Sequence, residues 1–392
     1  MTDLHPAAER GFSPEEFENR TGAAQRIMAE QGLDALLLTT EPEVRYFTGF
    51  DTVFWLSPTR PWFVVIPAEG APIAVIPEIG GPSMSLTWIS DIRTWLAPQP
   101  EDDGISLLAG TLQSVLPQGG TLGLPMGHET HVRMPAADLQ KLLAALRGVT
   151  IADGTGVVRR LRMVKSESEN AKIARICSIA SSAFEDLPKH IAAGDSEREV
   201  FAKFKIDLLQ KGADDVPYLV GSSGPGGFSD VINRPSDRVI AEGDMLLLDT
   251  GSLWGGYSCD FDRNFAFGRA SDETQRAYDL AWRATEAGLK AARPGITTAD
   301  LWGVMASVLE EGGCGGHQIG RMGHGLGMQV TEWPSLMPGD GTVIEAGMVL
   351  TLEPGFAFGG SKMMLHEENI VIREDGAELL SRRAARELPI IT

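Results

Sequence analysis

Five side chains in the C-terminal half are of types that, taken together, bind a pair of metal ions: Asp249, Asp260, His324, Glu353 and Glu367. Asp249 and Asp260 lie eleven positions apart in LLLDTGSLWGGYSCDFDRNF, across a hairpin expected to turn at Gly255-Gly256. His324 sits in GRMGHGLGMQ, Glu353 in VLTLEPG, and Glu367 in MLHEENIVI, fourteen residues after Glu353. Four carboxylates offset the charge of two divalent cations. Ions paired about 3.5–4 Å apart activate a shared water and polarise a carbonyl oxygen, which is hydrolase chemistry. Structural zinc would want closed Cys/His tetrahedra, and the only cysteines are Cys177, Cys259 and Cys314, with no CxxC spacing. A single acid is ordinarily a solvated surface group. Asp249, however, ends the apolar run MLLLD, and Glu353 ends MVLTLE. A carboxylate at the end of a buried strand needs a cation or a hydrogen-bond network.

The elements that must position these residues are legible as periodicities. Residues 12–32 have helical spacing closed by Gly32. DALLLTT, PWFVVIP, PIAVIPE and TLGLPMG read as short strands, with a helix at 135–147 after the last. Together they describe an α/β N-terminal domain of about 150 residues. A long helix begins in KSESEN, and a second is capped by Ser196. A third opens on Ser271 and closes before Pro294-Gly295, and a fourth is capped near Thr298. Strands are expected at 216–221, 244–252, 257–267, 348–353 and 364–373. GSSGPGGFSD at 221–230 lacks the P-loop lysine and GxGxxG spacing, and reads as a substrate-contacting loop.

In order and spacing, the motifs around the five residues resemble the signature of the pita-bread metallopeptidases: prolidase, aminopeptidase P, methionine aminopeptidase and creatinase. The resemblance covers residues 159–392, and RRLRMVKSESEN is similar to the opening segment of the prolidase and creatinase branch. It implies a mixed α/β (α+β) chain, with a creatinase-like N-terminal domain at 1–155 and a pita-bread catalytic domain at 156–392. Asp260 and Glu367 would then bridge the two metals, with Asp249 on one ion and His324 and Glu353 on the other. Oxygen-rich ligation with one imidazole suits Mn²⁺ first, with Co²⁺, Fe²⁺ or Zn²⁺ as alternatives.

Two departures from the peptidase pattern bear on the substrate. The peptidases carry a histidine upstream of the metal hairpin, where this chain has Ile232 or Asn233. A second histidine normally follows the metal histidine by seven residues, where this chain has Thr331, with Glu332 retained after it. Losing an oxyanion donor costs about 10²–10³ in rate. Thr331 donates one neutral hydrogen bond and carries no positive charge. Asn233, Thr331 and Trp333 are the candidate substrate contacts, and Glu353 with Thr331 the catalytic pair. His317 and the pair His128/His131 (the latter acting across a dimer) are weaker substitutes, with a solvated loop as the alternative for each. His366 is expected to turn away from the site, and Asp262 to be an acceptor behind Asp260 or the salt-bridge partner of Arg263. Trp55, Trp62, Trp88 and Trp254 offer aromatic faces for a cation or, more simply, packing.

The whole-chain properties are those of an ordinary soluble protein: 392 residues, 43% hydrophobic and 22% charged. With 34 Lys+Arg against 53 Asp+Glu, the net charge of −19 disfavours nucleic acid or an anionic membrane as partner. The N-terminus has no apolar signal core, no run reaches the roughly 18–20 apolar residues of a membrane span, and scattered cysteines suit a reducing compartment. The expectation is a cytoplasmic homodimeric metallohydrolase in which a metal-bridging hydroxide cleaves the C–N bond of a small peptide or amide. The alternatives are a relative acting on a small non-peptide metabolite, as ectoine hydrolase, creatinase or dimethylsulfoniopropionate lyase do, or a non-catalytic pita-bread binding protein.

Overall fold

In the computed structural model, which describes residues 9–58, 60–314 and 320–392, the chain folds as two units, one of Gly11–Arg162 and the other of Met163–Thr392 together with Glu9 and Arg10. The first unit opens with helix α1 (Pro14–Glu30). The Ser13 hydroxyl accepts the Glu16 N–H at its start, and Pro14 takes the first helical position, where no N–H is needed. The chain then passes through β1 (Ala35–Leu38), α2 (Glu41–Thr48), β2 (Phe63–Pro67), β3 (Ile73–Pro77) and α3 (Gly81–Met84). It continues through β4 (Asp91–Trp95), α4 (Ile105–Val115), β5 (Thr121–Leu124), α5 (Ala136–Ala145), β6 (Thr150–Asp153) and α6 (Thr155–Met163). The six strands form one mixed sheet in the order β4-β3-β2-β1-β5-β6. Pairs β1–β2 and β2–β3 are antiparallel and the rest parallel. Strands β1 and β2 are buried along their whole length, which is why they read as unbroken apolar runs. Leu37, Phe63, Val65 and Leu112 belong to the core.

The second unit begins with α7 (Glu167–Asp186) and α8 (Glu197–Gln210). Each is fixed by a reciprocal capping box, Ser166 with Glu169 and Ser196 with Glu199. Strands β7 (Asp215–Pro225), β8 (Asp244–Trp254), β9 (Tyr257–Ser258) and β10 (Phe261–Phe267) follow. The expected turn at Gly255-Gly256 is present, with φ of 57° and 83°. Positive φ at both central residues is what a two-residue hairpin requires and glycine supplies. Residues 221–225, expected in a loop, instead continue β7. Small residues give no apolar alternation there, yet they let the strand lie close to β8: a Cβ on Gly221 would sit 2.0 Å from the Leu247 carbonyl oxygen.

Helices α9 (Asp272–Ala291) and α10 (Thr298–Glu311) come next, with Ser271 as the cap of α9 and Thr297 as that of α10. They precede β11 (His324–Gly325), β12 (Glu332–Ser335), β13 (Val349–Leu352), β14 (Gly355–Phe358), β15 (Lys362–Leu365), β16 (Glu368–Arg373), β17 (Gly376–Leu379) and β18 (Ile390–Ile391). One sheet runs β18-β10-β8-β7 with β9 beside β8, a second runs β12-β11-β13-β16-β17, and β14 pairs with β15. Each of the two larger sheets has its own helix pair, and Leu247, Ala281, Leu301, Leu350 and Ile370 meet in one core. The single strand expected at 364–373 is two strands, broken at His366 and Glu367. The reason lies in how those two residues are held.

Candidate metal centre

The β8–β9–β10 register places three carboxylates on one face. Asp262 stands directly opposite Asp249, and Asp260 lies two positions before Asp262, on the same side of the pleat. Asp260 falls in the gap between β9 and β10, so its peptide is free of the ladder. The Asn369 side chain takes over: its Oδ1 accepts the Asp260 N–H at 2.9 Å, and its Nδ2 donates to the Asp260 carbonyl. The Asn369 amide thus replaces a strand neighbour.

Glu367 is gripped in the same way. Its N–H donates to Asp262 Oδ1 (3.2 Å), and its carbonyl accepts Arg263 Nη1 (3.0 Å). These bonds take the backbone of Glu367 out of any strand ladder, which explains the break before β16. Arg263 reaches the Glu368 carboxylate at 3.0 Å, and not that of Asp262 as one of the two sequence expectations had it. Adjacent strand residues face opposite ways, so Asp262 and Arg263 cannot meet through their side chains. Asp262 does accept a hydrogen bond, from the Glu367 N–H. Burial alone would raise Glu368, but Arg263 and Arg383 outweigh it and hold its carboxyl below the ordinary value.

His324 enters from β11. Its Nδ1 lies 2.9 Å from the Gly325 carbonyl. A carbonyl only accepts, so Nδ1 carries the hydrogen and Nε2 keeps its lone pair for the site. Nε2 is 3.3 Å from Asp260 Oδ2 and 4.0 Å from Glu353 Oε2. Gly325 allows this approach, since a Cβ there would lie 1.9 Å from the Trp333 carbonyl oxygen. Donor atoms of Asp260, His324 and Glu367 all fall within 4.8 Å of one another. Asp249 completes the group, its Oδ2 accepting from Tyr218 Oη at 3.3 Å.

Electrostatics then separate this cluster from an ordinary polar core. Burial, with mutual repulsion added, pushes the carboxyls of Asp249 and Glu367 far above the usual range. Asp260 and Asp262 rise for the same first reason. Glu353 is pushed up to about 7 by burial, against the pull of His324 and with Asp260 raising it further. One oxygen on each of Asp249, Asp260, Asp262 and Glu367 is buried without any protein donor. Such groups are costly unless a cation completes them. Hard oxygens, one imidazole nitrogen and orphaned acceptors fit a divalent cation, and Asp260, His324 and Glu367 are the residues whose donor atoms come close enough together to share one.

Above this cluster is a pocket of about 270 Å³, lined by Tyr218, Asp249, Asp260, Arg321, His324 and Thr331 among others, including Glu353. Of the sequence-predicted substrate residues, only Thr331 lines it. Asn233 is exposed outside the lining, and its carbonyl accepts the Gly221 N–H. Trp333 and Trp254 are buried and do not line the pocket. His366 is buried against Thr285 and Arg383, and burial pulls its imidazole down to about 3. His128 and His131 are exposed, and His317 falls outside the described residues. Tyr218 and Arg321 were missed. Tyr218 was legible in principle, since its strand pairs with that of Asp249. Arg321 carried no signal beyond its place three residues before His324.

Residues 171–374 match the sequence profile of metallopeptidase family M24, and residues 20–164 that of the creatinase/prolidase N-terminal domain. The chain is 29% identical over 370 residues to a probable dipeptidase PepE of Mycobacterium tuberculosis, covering 94% of this chain and 95% of that one. It is 27% identical over 363 residues to an Xaa-Pro dipeptidase of Pyrococcus horikoshii, covering 91% and 95%. The crystal structure of dipeptidase PepE from Mycobacterium ulcerans superposes with a TM-score of 0.84 at 28% identity, over 97% of this chain and 99% of that one.

Proposed function

The chain belongs to metallopeptidase family M24, and from that premise we propose that it hydrolyses the amide bond of short Xaa-Pro-type peptides using two divalent ions. The observation that supports this most directly is the convergence of Asp260, His324 and Glu367, whose donor atoms lie within 4.8 Å of one another, together with buried oxygens on Asp249, Asp260 and Glu367 that no protein donor satisfies. When bound there, such ions supply an activated water and a polarised carbonyl oxygen. Asp249, Asp260, His324, Glu353 and Glu367 hold them, and Tyr218 steadies Asp249. Of the ligands that line the pocket, Glu353 has a more exposed side chain, at 24%, than His324 or Asp260. It takes the proton of the attacking water and returns it to the leaving amide nitrogen. Thr331, on the rim, donates to the substrate carbonyl oxygen as negative charge develops there.

The oxygen-rich set favours Mn²⁺, with Co²⁺, Fe²⁺ or Zn²⁺ as alternatives. No helix of the described residues is long and apolar enough to cross a membrane. We take the working form to be a cytoplasmic homodimer. The test is metal analysis of wild type and Asp260→Ala, beside mass-spectrometric product release from Mn²⁺-loaded protein offered Xaa-Pro dipeptides. Asp260→Ala is expected to lose bound metal and to fall to background hydrolysis, and unchanged turnover would sink the proposal. A second reading, a small non-peptide amide as substrate, is favoured by Thr331 in place of a histidine. A metal-replete protein that leaves every Xaa-Pro peptide intact would select it.

A further inference from the structure

Behind the carboxylate cluster, the side-chain oxygen of Asn369 receives two donors. One is the Asp260 N–H, at 2.9 Å, and the other is the thiol of Cys177, whose Sγ lies 3.3 Å away. Cys177 is fully buried on α7, 192 residues earlier in the chain. That helix packs against β8 and β9, the strands that lead into Asp260. An amide oxygen only accepts, so the thiol is the donor, and the two hydrogens fill both lone pairs of Oδ1. A buried free cysteine is ordinarily a small apolar filler. Cys259 is equally buried, but its Sγ reaches a strand carbonyl, that of Thr250, at 3.7 Å.

The main chain of Asn369 is fixed by other groups. Its N–H donates to Ser381 Oγ at 3.0 Å, and its carbonyl accepts the Leu380 N–H at 2.9 Å. Rotation of the side-chain amide is a separate freedom. Turned over, the amide would set its NH₂ against the Asp260 N–H and its oxygen against the Asp260 carbonyl, and both bonds to that peptide would be lost. A thiol on the Oδ1 side rewards the clasping orientation, because its one hydrogen needs an acceptor there. To the flipped amide it offers only sulfur, a weak acceptor. We propose that Cys177 is a positioning residue of the metal centre: its thiol locks the Asn369 amide in the orientation that clasps the Asp260 peptide. Asp260 is thereby held ready to bind an ion. This rests on the metal-dependent reading above and assigns that site a support on α7.

The experiment compares wild type, Cys177→Ala, Cys177→Ser, Asn369→Leu and the double variant Cys177→Ala/Asn369→Leu. Calorimetric titration gives the Mn²⁺ affinity of each, and denaturant unfolding the stability of the metal-free proteins. Infrared difference spectra against Cys177→Ala isolate the Cys177 S–H stretch; Cys177→Ser is the reference if the alanine variant does not fold. Cys177→Ala is expected to bind Mn²⁺ about 3- to 10-fold more weakly, less than the loss for a group bonded to the ligand itself. Cys177→Ser should regain most of that affinity, since its hydroxyl donates in place of the thiol. Packing alone gives the opposite order, because a buried hydroxyl is costlier than a methyl. With Asn369 already replaced by leucine, removing the thiol should bring no further loss, and the S–H band should move to higher frequency once its acceptor is gone. Wild-type affinity in Cys177→Ala, the same loss with and without Asn369, or a band indifferent to Asn369→Leu would each overturn the proposal and leave the metal-dependent reading standing. A wild type that binds no Mn²⁺ while its band still answers to Asn369 would instead break that reading, and with it the metal role of the thiol.

Discussion

On the acidic side of the pocket, the groups that fix Asp260 and Glu367 act on their main chains. Asn369 clasps one peptide, and Asp262 with Arg263 clasps the other. On the opposite side, Arg321 donates to hydroxyls on flexible side chains, Thr331 and Ser335. Main-chain anchoring leaves a carboxylate few rotamers and suits a site that must hold several like charges at fixed distances. Side-chain anchoring is cheaper to alter by substitution, and it sits on the wall where the substrate has to be recognised. The acidic floor is therefore the part that related enzymes can share while the rim changes.

Four changes would break or sharpen this contrast. The largest effect is expected at Lys165, whose ammonium lies 3.2 Å from the Glu332 carboxylate with both side chains almost fully buried. Glu332 adjoins Thr331, so the pair pins the inner end of the rim. Lys165→Met breaks this buried ion pair and should cost about 3–5 kcal/mol of stability. Denaturant unfolding would measure it. A loss confined to Michaelis constants, with stability unchanged, would mean that the rim is not pinned there.

Next comes the floor. Asn369→Leu removes the clasp on Asp260 and should weaken metal binding by about 10- to 100-fold, the usual cost of losing a group that orients a ligand. Titration with Mn²⁺ reads this directly, and an unaltered affinity would deny main-chain anchoring its importance.

A third test uses pH. A carboxyl whose folded value is raised above its ordinary one contributes stability at low pH, and this is lost as pH climbs through the folded value. Glu353 rises from 4.5 to about 7, and the deeper carboxyls rise with it. Metal-free protein should therefore melt at progressively lower temperature across that interval. The stabilisation given by added Mn²⁺ should grow over the same interval, because binding displaces protons. A melting temperature of the metal-free protein that climbs with pH would contradict the account of the acidic floor.

The smallest effect belongs to Ser335→Ala, which removes one hydroxyl from Arg321. The lost hydrogen bond should cost about 1 kcal/mol of stability, read by denaturant unfolding. Unchanged stability would mean that the Ser335 hydroxyl does little to hold the Arg321 side chain.

The same contrast governs how much could be read from the sequence. Acids at the ends of apolar strands announce themselves, because burial of a charge is improbable without a purpose. Asp249 and Glu353 were legible for this reason, and the turn at Gly255-Gly256 followed from the chirality that hairpins demand. The caps at Ser196 and Ser271 were equally plain. The rim was not legible. Arg321 gains its place from Ser335 and Thr331, fourteen and ten residues further on, through contacts that no periodicity encodes. Trp333 was singled out for its chemistry, yet the β11–β12 pairing buries it beneath the rim. The break at His366 and Glu367 escaped notice because an apolar run on either side imitates one continuous strand.

The grip of Asn369 on Asp260 also bears on the order in which the centre can come into being. As the chain leaves the ribosome, the β8–β9–β10 hairpin can close with its acids in place more than a hundred residues before Asn369 is made. Until then the Asp260 peptide has no partner on its open side, and Glu367 has not yet been synthesised. A nascent chain thus holds isolated acids and no complete cage, so it competes poorly for scarce cations. With the proposed ligand set, capture would become strong only after Glu367 and Asn369 are in place, late in the synthesis of the domain.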